Sequence, residues 1–310
     1  MADRTWLAPA KINLFLHVVG RRSDGYHLIQ SAMQLIDLAD VLTITPREDE
    51  RIVRTADVSG VPEDDDLAIR AARLLQRAAS GARGANIGIA KRIPIGGGLG
   101  GGSSDAATTL LVLNHLWGLG WSRAQLMQLG VTLGADVPFF IAGHSAFVEG
   151  IGEIVTPIDL PDTNYVVIHP GVSVPTALIF GAPELTRDTG ALKISDFSKS
   201  GLSAAQSACD DTPRGARPVF RNDLEPVASS RFDAVRDALS WLSRSWQGSS
   251  GPTRMSGSGA CVIRAFATGE DAARCVATVP AKWSGWSVKS LAAHPHRALA
   301  ADSNAELGAE

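Results

Sequence analysis

The start of the chain is dense in β-branched and long apolar side chains, a composition that predicts strands. The stretch WLAPAKINLFLHVV at 6–19 is the first strand, and GRRSDG at 20–25 supplies a turn. Two further short strands are predicted over 41–48 and 51–60. A helix follows over 64–80, where leucine and alanine recur at helical spacing behind an acidic first turn.

A glycine-rich run connects the next strand to the next helix. Residues 85–94 predict the strand, and residues 103–119 predict the helix, with Ser103 or Ser104 as its N-cap. Between them, six glycines occupy the seven positions 96–102. The run is therefore held at both ends by predicted regular structure.

The middle of the chain predicts a return to helix and then strands. Residues 122–131 are helical, LGADVPFFIAG at 133–143 turns into a buried strand, and residues 145–158 form a hairpin. A new apolar strand begins within 160–171 after a turn bounded by proline. We therefore place a domain boundary near residue 160.

The second half is less regular. Residues 186–217 are polar with weak periodicity and predict a long loop around short helices. Residues 232–244 predict a helix, and residues 251–266 predict a turn followed by a strand. The last residues predict a disordered tail. The predicted organisation is a first domain over 1–158, a second over 159–296 and a tail over 297–310.

Composition narrows the functional classes. With 310 residues, 45% of them hydrophobic, and a net charge of −3, the chain can bury a large core and is not a general binder of nucleic acid. Its 3 cysteines lack metal-ligand spacing, which favours a reducing compartment, and we expect the cytoplasm. No stretch approaches the roughly 20 apolar residues needed to span a membrane, so we expect no membrane partner.

Three interpretations of the glycine run are open at this point. A flexible linker is one, but a strand–loop–helix setting points several backbone N–H groups at a helix N-terminus, where a phosphate binds well. A dinucleotide fold expects an acidic residue about 20 positions further on, and none occurs between Asp105 and Asp136. A P-loop needs a terminal lysine, and none occurs between Lys91 and Lys193. The run therefore predicts a phosphate loop of another design.

Phosphoryl transfer also requires a proton acceptor and a cation. Asp136 lies between a turn and a strongly apolar segment, where it is either a turn or capping residue or a catalytic carboxylate. Lys11 lies inside an apolar strand, where it either reaches solvent or points a buried ammonium into a cleft. Asn13 shares its strand face with Lys11.

Three motifs resemble the GHMP kinase superfamily. They are PAKINLFL at 9–16, PIGGGLGGGSSDAA at 94–107 and MSGSGACV at 255–262. The longer segments PAKINLFLHVVGRRSDGYHLIQSAMQLIDLAD, GADVPFF and PGVSVPTALIF are similar to the family of 4-diphosphocytidyl-2-C-methyl-D-erythritol kinases. The resemblance covers about residues 6–180 and 222–266.

The resemblance implies an α+β fold with two domains: an N-terminal mixed α/β domain that carries the glycine-rich phosphate loop, and a C-terminal ferredoxin-like α+β domain. It implies an ATP-dependent kinase of the non-mevalonate isoprenoid route that phosphorylates the 2-hydroxyl of the family's substrate. Asp136 matches the family's catalytic base and Lys11 its partner cation, while Asn13 matches a residue that positions the methylerythritol end.

The resemblance also implies a substrate with a cytidine diphosphate moiety. Tyr26 and Phe180 would enclose the cytosine ring, His27 would contact the edge of that ring, and Thr176 lies in the same substrate segment. From the residues alone, Tyr26 and His27 fit a surface hairpin better than a binding pocket.

In the family that the chain resembles, an asparagine usually precedes the leucine of the segment near the adenine of ATP. This chain has Asp66 before Leu67. A carboxylate can accept a hydrogen bond from the adenine amino group but cannot donate one. Magnesium is expected with ATP, although no ligand set is evident. The predicted ATP-binding residues are Pro94, Ile95, Gly96, Gly97, Gly98, Leu99, Gly100, Gly101, Gly102, Ser103, Ser104, Asp66, Leu67 and Lys91.

Two alternatives are carried forward. One is another small-molecule kinase of the superfamily, such as homoserine or mevalonate kinase, and the other is a non-catalytic nucleotide-binding module. The expected assembly is a monomer or a weak homodimer.

Overall fold

The computed structural model describes residues 5–80, 83–194, 220–244 and 251–302. Most of the loop predicted over 186–217 lies outside the described residues, as do the last eight positions of the predicted tail.

The described strands form a mixed sheet with the order β3-β4-β2-β10-β7-β9-β8, in which β1 and β5 also pair with β2, and β6 pairs with β5. The β3–β4 pair is parallel and the other pairs are antiparallel. The strands are β1 (Thr5–Arg21), β2 (His27–Arg47), β3 (Ile52–Arg54), β4 (Gly84–Ala90), β5 (Ala146–Glu149), β6 (Ile154–Pro157), β7 (Asn164–His169), β8 (Arg254–Met255), β9 (Val262–Phe266) and β10 (Ser284–Leu291).

The helices cover this sheet in two groups. The described α-helices are α1 (Leu67–Ala78), α2 (Gly101–Leu116), α3 (Arg123–Gly130), α4 (Val137–Ala142), α5 (Thr176–Phe180), α6 (Glu225–Arg231), α7 (Asp233–Arg244) and α8 (Gly269–Val276). In the first half, α2 packs on β1 and β2 and is flanked by α1 and α4, and in the second half α8 packs on β7 and β10. None of the helices in the described part of the chain has the length and apolarity needed to cross a bilayer.

The first hairpin follows from the sequence pattern. β1 and β2 pair along nearly their whole length, from Thr5 opposite Thr43 to Arg21 opposite His27. Gly25 has φ of 94° in the connecting turn, a conformation that glycine adopts without strain. The turn predicted over 20–25 is therefore confirmed.

The sheet continues across the predicted domain boundary. β10 pairs with β7 along its length and, at Ser290 and Leu291, with Ile36 and Leu35 of β2. The α+β class is confirmed, with a mixed sheet and helices from both halves. The division into two domains near residue 160 stays a prediction.

The strand predicted within 133–143 is wrong, because this segment forms helix α4. A proline stands in the first turn of α4, and Gly143 closes it with φ of 73°. All six residues of α4 are buried. A short, fully buried apolar run has no polar face from which its period can be read, so the sequence pattern did not distinguish helix from strand.

The N-cap predicted at Ser103 or Ser104 is also wrong. Helix α2 begins at Gly101 behind Gly100, which has φ of 72° and ψ of 19°. The glycine loop therefore runs directly into the first turn, and Ser103 and Ser104 lie inside the helix.

The tail predicted from residue 297 begins too early. Arg297–Leu299 form a 3₁₀ turn, and the guanidinium of Arg123 on α3 donates hydrogen bonds to the carbonyl oxygens of Arg297 and Ala300 at 2.8 and 2.6 Å. Asp302 accepts a third bond from Arg123 at 2.6 Å. The chain beyond β10 is therefore packed against the first half as far as Asp302.

Candidate active site

A cleft of about 1090 Å³ brings the predicted site residues together. The end of the first hairpin, the glycine loop, the starts of α2 and α4, and helix α5 all contribute to its walls. The lining includes Lys11, Asn13, Tyr26, His27, Asp66, Leu67, Lys91, Pro94, Ile95, Gly96, Gly97, Gly98, Leu99, Gly100, Gly101, Gly102, Ser103, Asp136, Thr176 and Phe180. Ser104 is the exception, because its hydroxyl is buried and donates to the Pro9 carbonyl at 2.6 Å.

Lys11 points a buried ammonium into this cleft. Its Nζ lies 3.5 Å from Oδ2 of Asp136 and donates to Oδ1 of Asn13 at 2.6 Å. The Asn13 amide in turn donates to Oγ of Ser31 at 2.8 Å. Lys11 and Asn13 lie on the same face of β1, and these hydrogen bonds fix the ammonium near the Asp136 carboxylate.

Asp136 occupies the N-cap position of α4, yet its side chain makes no capping hydrogen bond. Its side chain is 29% exposed, whereas the Lys11 side chain is 4% exposed. The carboxylate is therefore partly open to the cleft, and the cation behind it is shielded from solvent. A cap alone does not account for this carboxylate.

The glycine loop needs glycine for both conformation and space. Gly96, Gly98 and Gly100 have φ of 68°, 75° and 72°. A Cβ on Gly98 would lie 2.2 Å from the Ser256 carbonyl oxygen, and one on Gly100 would lie 2.9 Å from the Phe140 ring. The first amides of α2 follow directly, and such amides have no partner within their own helix, which suits a phosphate.

The turn at 256–259 holds the loop in place. Oγ of Ser256 accepts a hydrogen bond from the backbone N–H of Asn13 and donates one to the Gly98 carbonyl, both at 3.2 Å. The Cys261 amide donates to the Gly97 carbonyl at 3.0 Å. This turn therefore ties β1 to the glycine loop.

A charged cluster supports the other end of the loop. Nζ of Lys91 contacts Oδ2 of Asp40 on β2 and lies 2.7 Å from Oδ2 of Asp105 on α2. Oδ1 of Asp40 accepts hydrogen bonds from the amides of Arg92 and Ile93 at 2.5 and 2.9 Å. The cluster therefore joins β2, the exit of β4 and the first turn of α2.

The cluster shifts the pKa values of its members. Burial raises the pKa of the Asp105 carboxyl, and the charge of Lys91 opposes that shift. Burial alone would lower the pKa of Lys91, but the attraction of Asp105 and Asp40 outweighs burial and raises it. Asp40 was not identified from the sequence, although an acidic residue within the apolar stretch LIDLADVLTI was a usable signal.

Asp66 lies in the part of the cleft that is predicted to bind adenine, and it has a structural role there. Its Oδ1 accepts the Ala68 amide at 3.0 Å and caps α1, and its Oδ2 lies 3.4 Å from Nη1 of Arg54. Leu67 is partly buried beside it. The aspartate that departs from the family pattern is therefore held by a cap and an ion pair.

The predicted pyrimidine pocket is built around His27. The rings of His27 and Phe180 lie 5.0 Å apart with an interplanar angle of 36°, and Nε2 of His27 accepts a hydrogen bond from Nε of Arg187 at 3.0 Å. Tyr26 is 60% exposed at the rim. Burial and the charges of Arg187 and Arg21 lower the pKa of His27. Thr176 on α5 bonds through its hydroxyl to that of Ser258 at 2.7 Å.

Comparison with known proteins assigns the family. The family description "GHMP kinases N terminal domain" matches residues 66–144. The chain is 52% identical over 294 residues to the 4-diphosphocytidyl-2-C-methyl-D-erythritol kinase of Janthinobacterium sp. (strain Marseille), covering 93% of this chain and 94% of that protein. It is 53% identical over 288 residues to the enzyme of that name from Ralstonia pickettii (strain 12J), covering 93% and 94%. The chain belongs to the 4-diphosphocytidyl-2-C-methyl-D-erythritol kinase family.

Solved structures agree with membership of the 4-diphosphocytidyl-2-C-methyl-D-erythritol kinase family. A crystal structure of 4-(cytidine 5'-diphospho)-2C-methyl-D-erythritol kinase matches with a TM-score of 0.76 and 34% identity, covering 93% of this chain and 99% of that chain. A homoserine kinase from Cytophaga hutchinsonii matches with a TM-score of 0.64 at 16% identity over 94% and 95% of the two chains, and shares the fold alone.

Few candidate ligands for a metal ion lie among the residues that the structure describes. Among the residues that the structure describes, no group of three or more His, Cys, Asp or Glu side chains is placed to hold a metal ion. Oδ1 of Asp105 is buried and has no hydrogen-bond partner in the described part of the chain. Asp105 and Ser103 both line the cleft, so Oδ1 of Asp105 is, within the described residues, an unpartnered carboxylate oxygen close to the glycine loop.

Proposed function

We propose that this protein transfers the γ-phosphoryl group of ATP to the 2-hydroxyl of 4-diphosphocytidyl-2-C-methyl-D-erythritol, giving the 2-phosphate and ADP in the non-mevalonate route to isopentenyl diphosphate. The observation that carries the proposal is the Lys11–Asp136 pair, 3.5 Å apart, in the same cleft as the glycine loop. The family relatives carry the name of this kinase activity.

Asp136 acts as the general base. Its partly exposed carboxylate would accept the proton of the acceptor hydroxyl as the oxygen attacks the γ-phosphorus. Because Asp136 makes no capping hydrogen bond, its oxygens are available to the substrate. Asn13, bonded to Lys11 at 2.6 Å, would orient the methylerythritol end beside the carboxylate.

Lys11 supplies positive charge to the same step. Its ammonium orients the Asp136 carboxylate and faces the position where the phosphoryl group moves, so it offsets the negative charge that develops there. The buried site strengthens this effect because solvent does not screen the ammonium.

The glycine loop and the first turn of α2 would hold the ATP phosphates through backbone N–H groups. Leu67 packs on the adenine side, and Lys91 lines the cleft near the start of α2. A magnesium ion that accompanies ATP would neutralise phosphate charge. Asp105 and Ser103, which line the cleft in the first part of α2, would be its protein ligands, and phosphate oxygens would supply the others.

The cytidine moiety would bind in the pocket of Tyr26, His27 and Phe180. The Phe180 ring already packs against His27, and the exposed Tyr26 can close over the other face of the base. Thr176 lies at the first turn of α5 in the same wall. We also propose that the enzyme acts in the cytoplasm as a monomer or a weak homodimer.

A coupled assay of ADP release tests the function. We expect turnover with 4-diphosphocytidyl-2-C-methyl-D-erythritol and none with homoserine or mevalonate at equal concentration. Turnover on either of those alcohols in preference to the cytidyl substrate would assign another kinase of the superfamily. Nucleotide binding without turnover on any acceptor would leave a binding module.

A Tyr26→Ala variant sharpens this test. We expect its catalytic efficiency toward the cytidyl substrate to fall roughly 5- to 160-fold, since a stacking contact with a base contributes about 1–3 kcal/mol. Tyr165, the second tyrosine, is buried and does not line the cleft. Its hydroxyl donates to Oε1 of Gln34 at 2.7 Å. Undiminished efficiency in Tyr26→Ala would argue against a stacked cytosine.

A further inference from the structure

The Arg187 guanidinium makes four hydrogen bonds at the back of the pyrimidine pocket. Its Nε donates to Nε2 of His27 at 3.0 Å. Its Nη1 donates to the Leu185 carbonyl at 3.0 Å, and its Nη2 donates to the carbonyls of Phe180 and Ala182 at 3.0 and 2.7 Å. These bonds fix the plane of the guanidinium.

The bond to His27 determines where the imidazole proton lies. A guanidinium donates hydrogen bonds and accepts none, so Nε2 of His27 must present its lone pair to Arg187. A neutral imidazole carries one proton, which therefore lies on Nδ1. Burial and the nearby charges of Arg187 and Arg21 lower the pKa of His27, in agreement with a neutral ring.

The remaining nitrogen is free to serve a ligand. His27 lines the cleft, and within the described residues its Nδ1 has no hydrogen-bond partner. The Phe180 ring packs at 5.0 Å from the His27 ring and restricts its orientation. Arg187 holds the Phe180 carbonyl as well, so one side chain fixes two of the three residues of the proposed base pocket.

We propose that Arg187 is a positioning residue that holds the His27 proton on Nδ1, so that this N–H donates to a hydrogen-bond acceptor on the edge of the pyrimidine base. The proposal deepens the proposed function and rests on it. Cytosine presents two adjacent acceptors, O2 and N3, and a ring with its proton on Nε2 would bring a lone pair against them. Without Arg187 the tautomer is not fixed, and part of the population cannot bind the base.

NMR spectroscopy of the ligand-free protein tests the tautomer directly. In long-range ¹H–¹⁵N spectra, with the His27 signals assigned by comparison with His27→Gln, we expect the Nδ1–H form in the unmodified protein. Arg187→Met should shift the ring toward the Nε2–H form. Arg21→Met removes a nearby charge but not the bond to the ring, since Arg21 donates to the Gly25 carbonyl at 3.1 Å, so the Nδ1–H form should persist. A proton found on Nε2 of His27 in the unmodified protein would overturn the proposal.

Calorimetric binding of cytidine 5′-diphosphate tests the consequence without relying on turnover. We expect Arg187→Met to raise the Kd about 10-fold and to leave the Kd of ADP at the glycine loop unchanged. In a His27→Gln background the same Arg187→Met change should alter the Kd less than about 2-fold, because no tautomer remains to be fixed. An equal loss in both backgrounds would show that Arg187 only supports the loop, and would reject the positioning role.

The two proposals fail in different ways. If cytidine 5′-diphosphate binds and responds to Arg187→Met as expected but no phosphoryl transfer occurs, the kinase function is wrong and the role of Arg187 stands. If transfer occurs while the tautomer of His27 is unaffected by Arg187→Met, the function stands and the role of Arg187 is rejected.

Discussion

The ammonium of Lys11 lies 3.5 Å from the carboxylate of Asp136, where a buried cation from β1 meets a partly exposed carboxylate at the start of α4. The separation is long for an optimal hydrogen bond, so the carboxylate keeps the freedom to bond to an incoming hydroxyl. Asn13 takes the short bond of 2.6 Å from the same ammonium instead. Lys11 therefore orients the Asp136 carboxylate and leaves its oxygens open to the cleft.

Asp136→Asn should lower kcat by about 10²–10⁴-fold, because the amide keeps the size of the side chain but cannot accept the proton. Steady-state ADP release measures the loss. The Kd of ADP should stay within error of the unmodified protein, and the free energy of unfolding should fall by no more than about 1 kcal/mol, because Asp136 makes no capping hydrogen bond and its ion pair with Lys11 is long and partly exposed. Near-normal turnover in this variant would remove Asp136 from the chemistry.

Gly98→Ala should lower kcat/KM at least 100-fold. Gly98 has φ of 75°, and a Cβ there would lie 2.2 Å from the Ser256 carbonyl, so the loop or the turn at 256–259 must shift. A displacement of about 1 Å in a positioning element costs on the order of 10²-fold in rate. Steady-state kinetics with varied ATP measures it.

Gly118→Ala is the matched control for this change. Gly118 also has positive φ, 66°, but no atom lies within 4 Å of its added Cβ. We expect a stability loss of about 1–2 kcal/mol from the left-handed backbone alone, with unchanged kinetics. Equal kinetic losses in both variants would mean that backbone strain, and not contact with the 256–259 turn, is responsible.

Asp40→Asn should lower the free energy of unfolding by about 2–4 kcal/mol and raise the KM for ATP. The amide can still accept the hydrogen bonds of Arg92 and Ile93, but its NH₂ group would face the Lys91 ammonium in a buried cluster. Urea unfolding and steady-state kinetics measure the two effects.

Asp37→Asn is the control on the same strand. Asp37 is exposed and accepts the Lys289 amide at 2.9 Å. We expect the free energy of unfolding to fall by less than about 1 kcal/mol and the KM for ATP to be unchanged. If Asp40→Asn has no larger effect than this control, the cluster does not support the loop.

His294 should make the protein less stable in acid. Its Nδ1 accepts the His296 amide at 3.2 Å, its Nε2 bonds to Oγ1 of Thr108 at 3.2 Å, and burial lowers its pKa from 6.5 to about 3. Because the folded pKa is depressed, this contribution to stability is complete above pH 6.5 and is lost as the pH falls toward about 3.

Urea unfolding between pH 7 and pH 4 measures this dependence. His294→Gln cannot titrate, so its free energy of unfolding should fall less steeply over that range, by up to about 1.4 kcal/mol per pH unit. Parallel slopes in the two proteins would show that His294 is not the group that titrates.

The sequence predicted those parts of the site in which local spacing determines geometry. Lys11 and Asn13 are two positions apart, so the strand period placed them on one face, and the glycine run lay between a strand and a helix as predicted. That Lys11 and Asp136 meet depends on packing between distant segments, so their pairing came from the family resemblance. Asp40 and Arg187 were missed because Asp40 binds the exit of β4 and Arg187 binds the His27 ring, contacts between segments far apart in the chain that no short motif encodes.

The same distinction explains the errors in the fold. Helix α4 was interpreted as a strand because a fully buried segment has no polar face. The order seen at Arg297–Asp302 comes from hydrogen bonds to Arg123, a residue far away in the chain, so a polar terminal segment gave no sign of it.

The return of the chain to its first half has a consequence for biosynthesis. β10 pairs with β2, and Ala300 packs in the hydrophobic cluster of α1, α2 and α4. On the ribosome, the N-terminal part emerges first, but it cannot complete its own sheet and core until residues near 300 have left the exit tunnel. Nascent chains interrupted before β10 would therefore expose an unfinished β-sheet, because Leu35 and Ile36 of β2 would lack the strand that pairs with them.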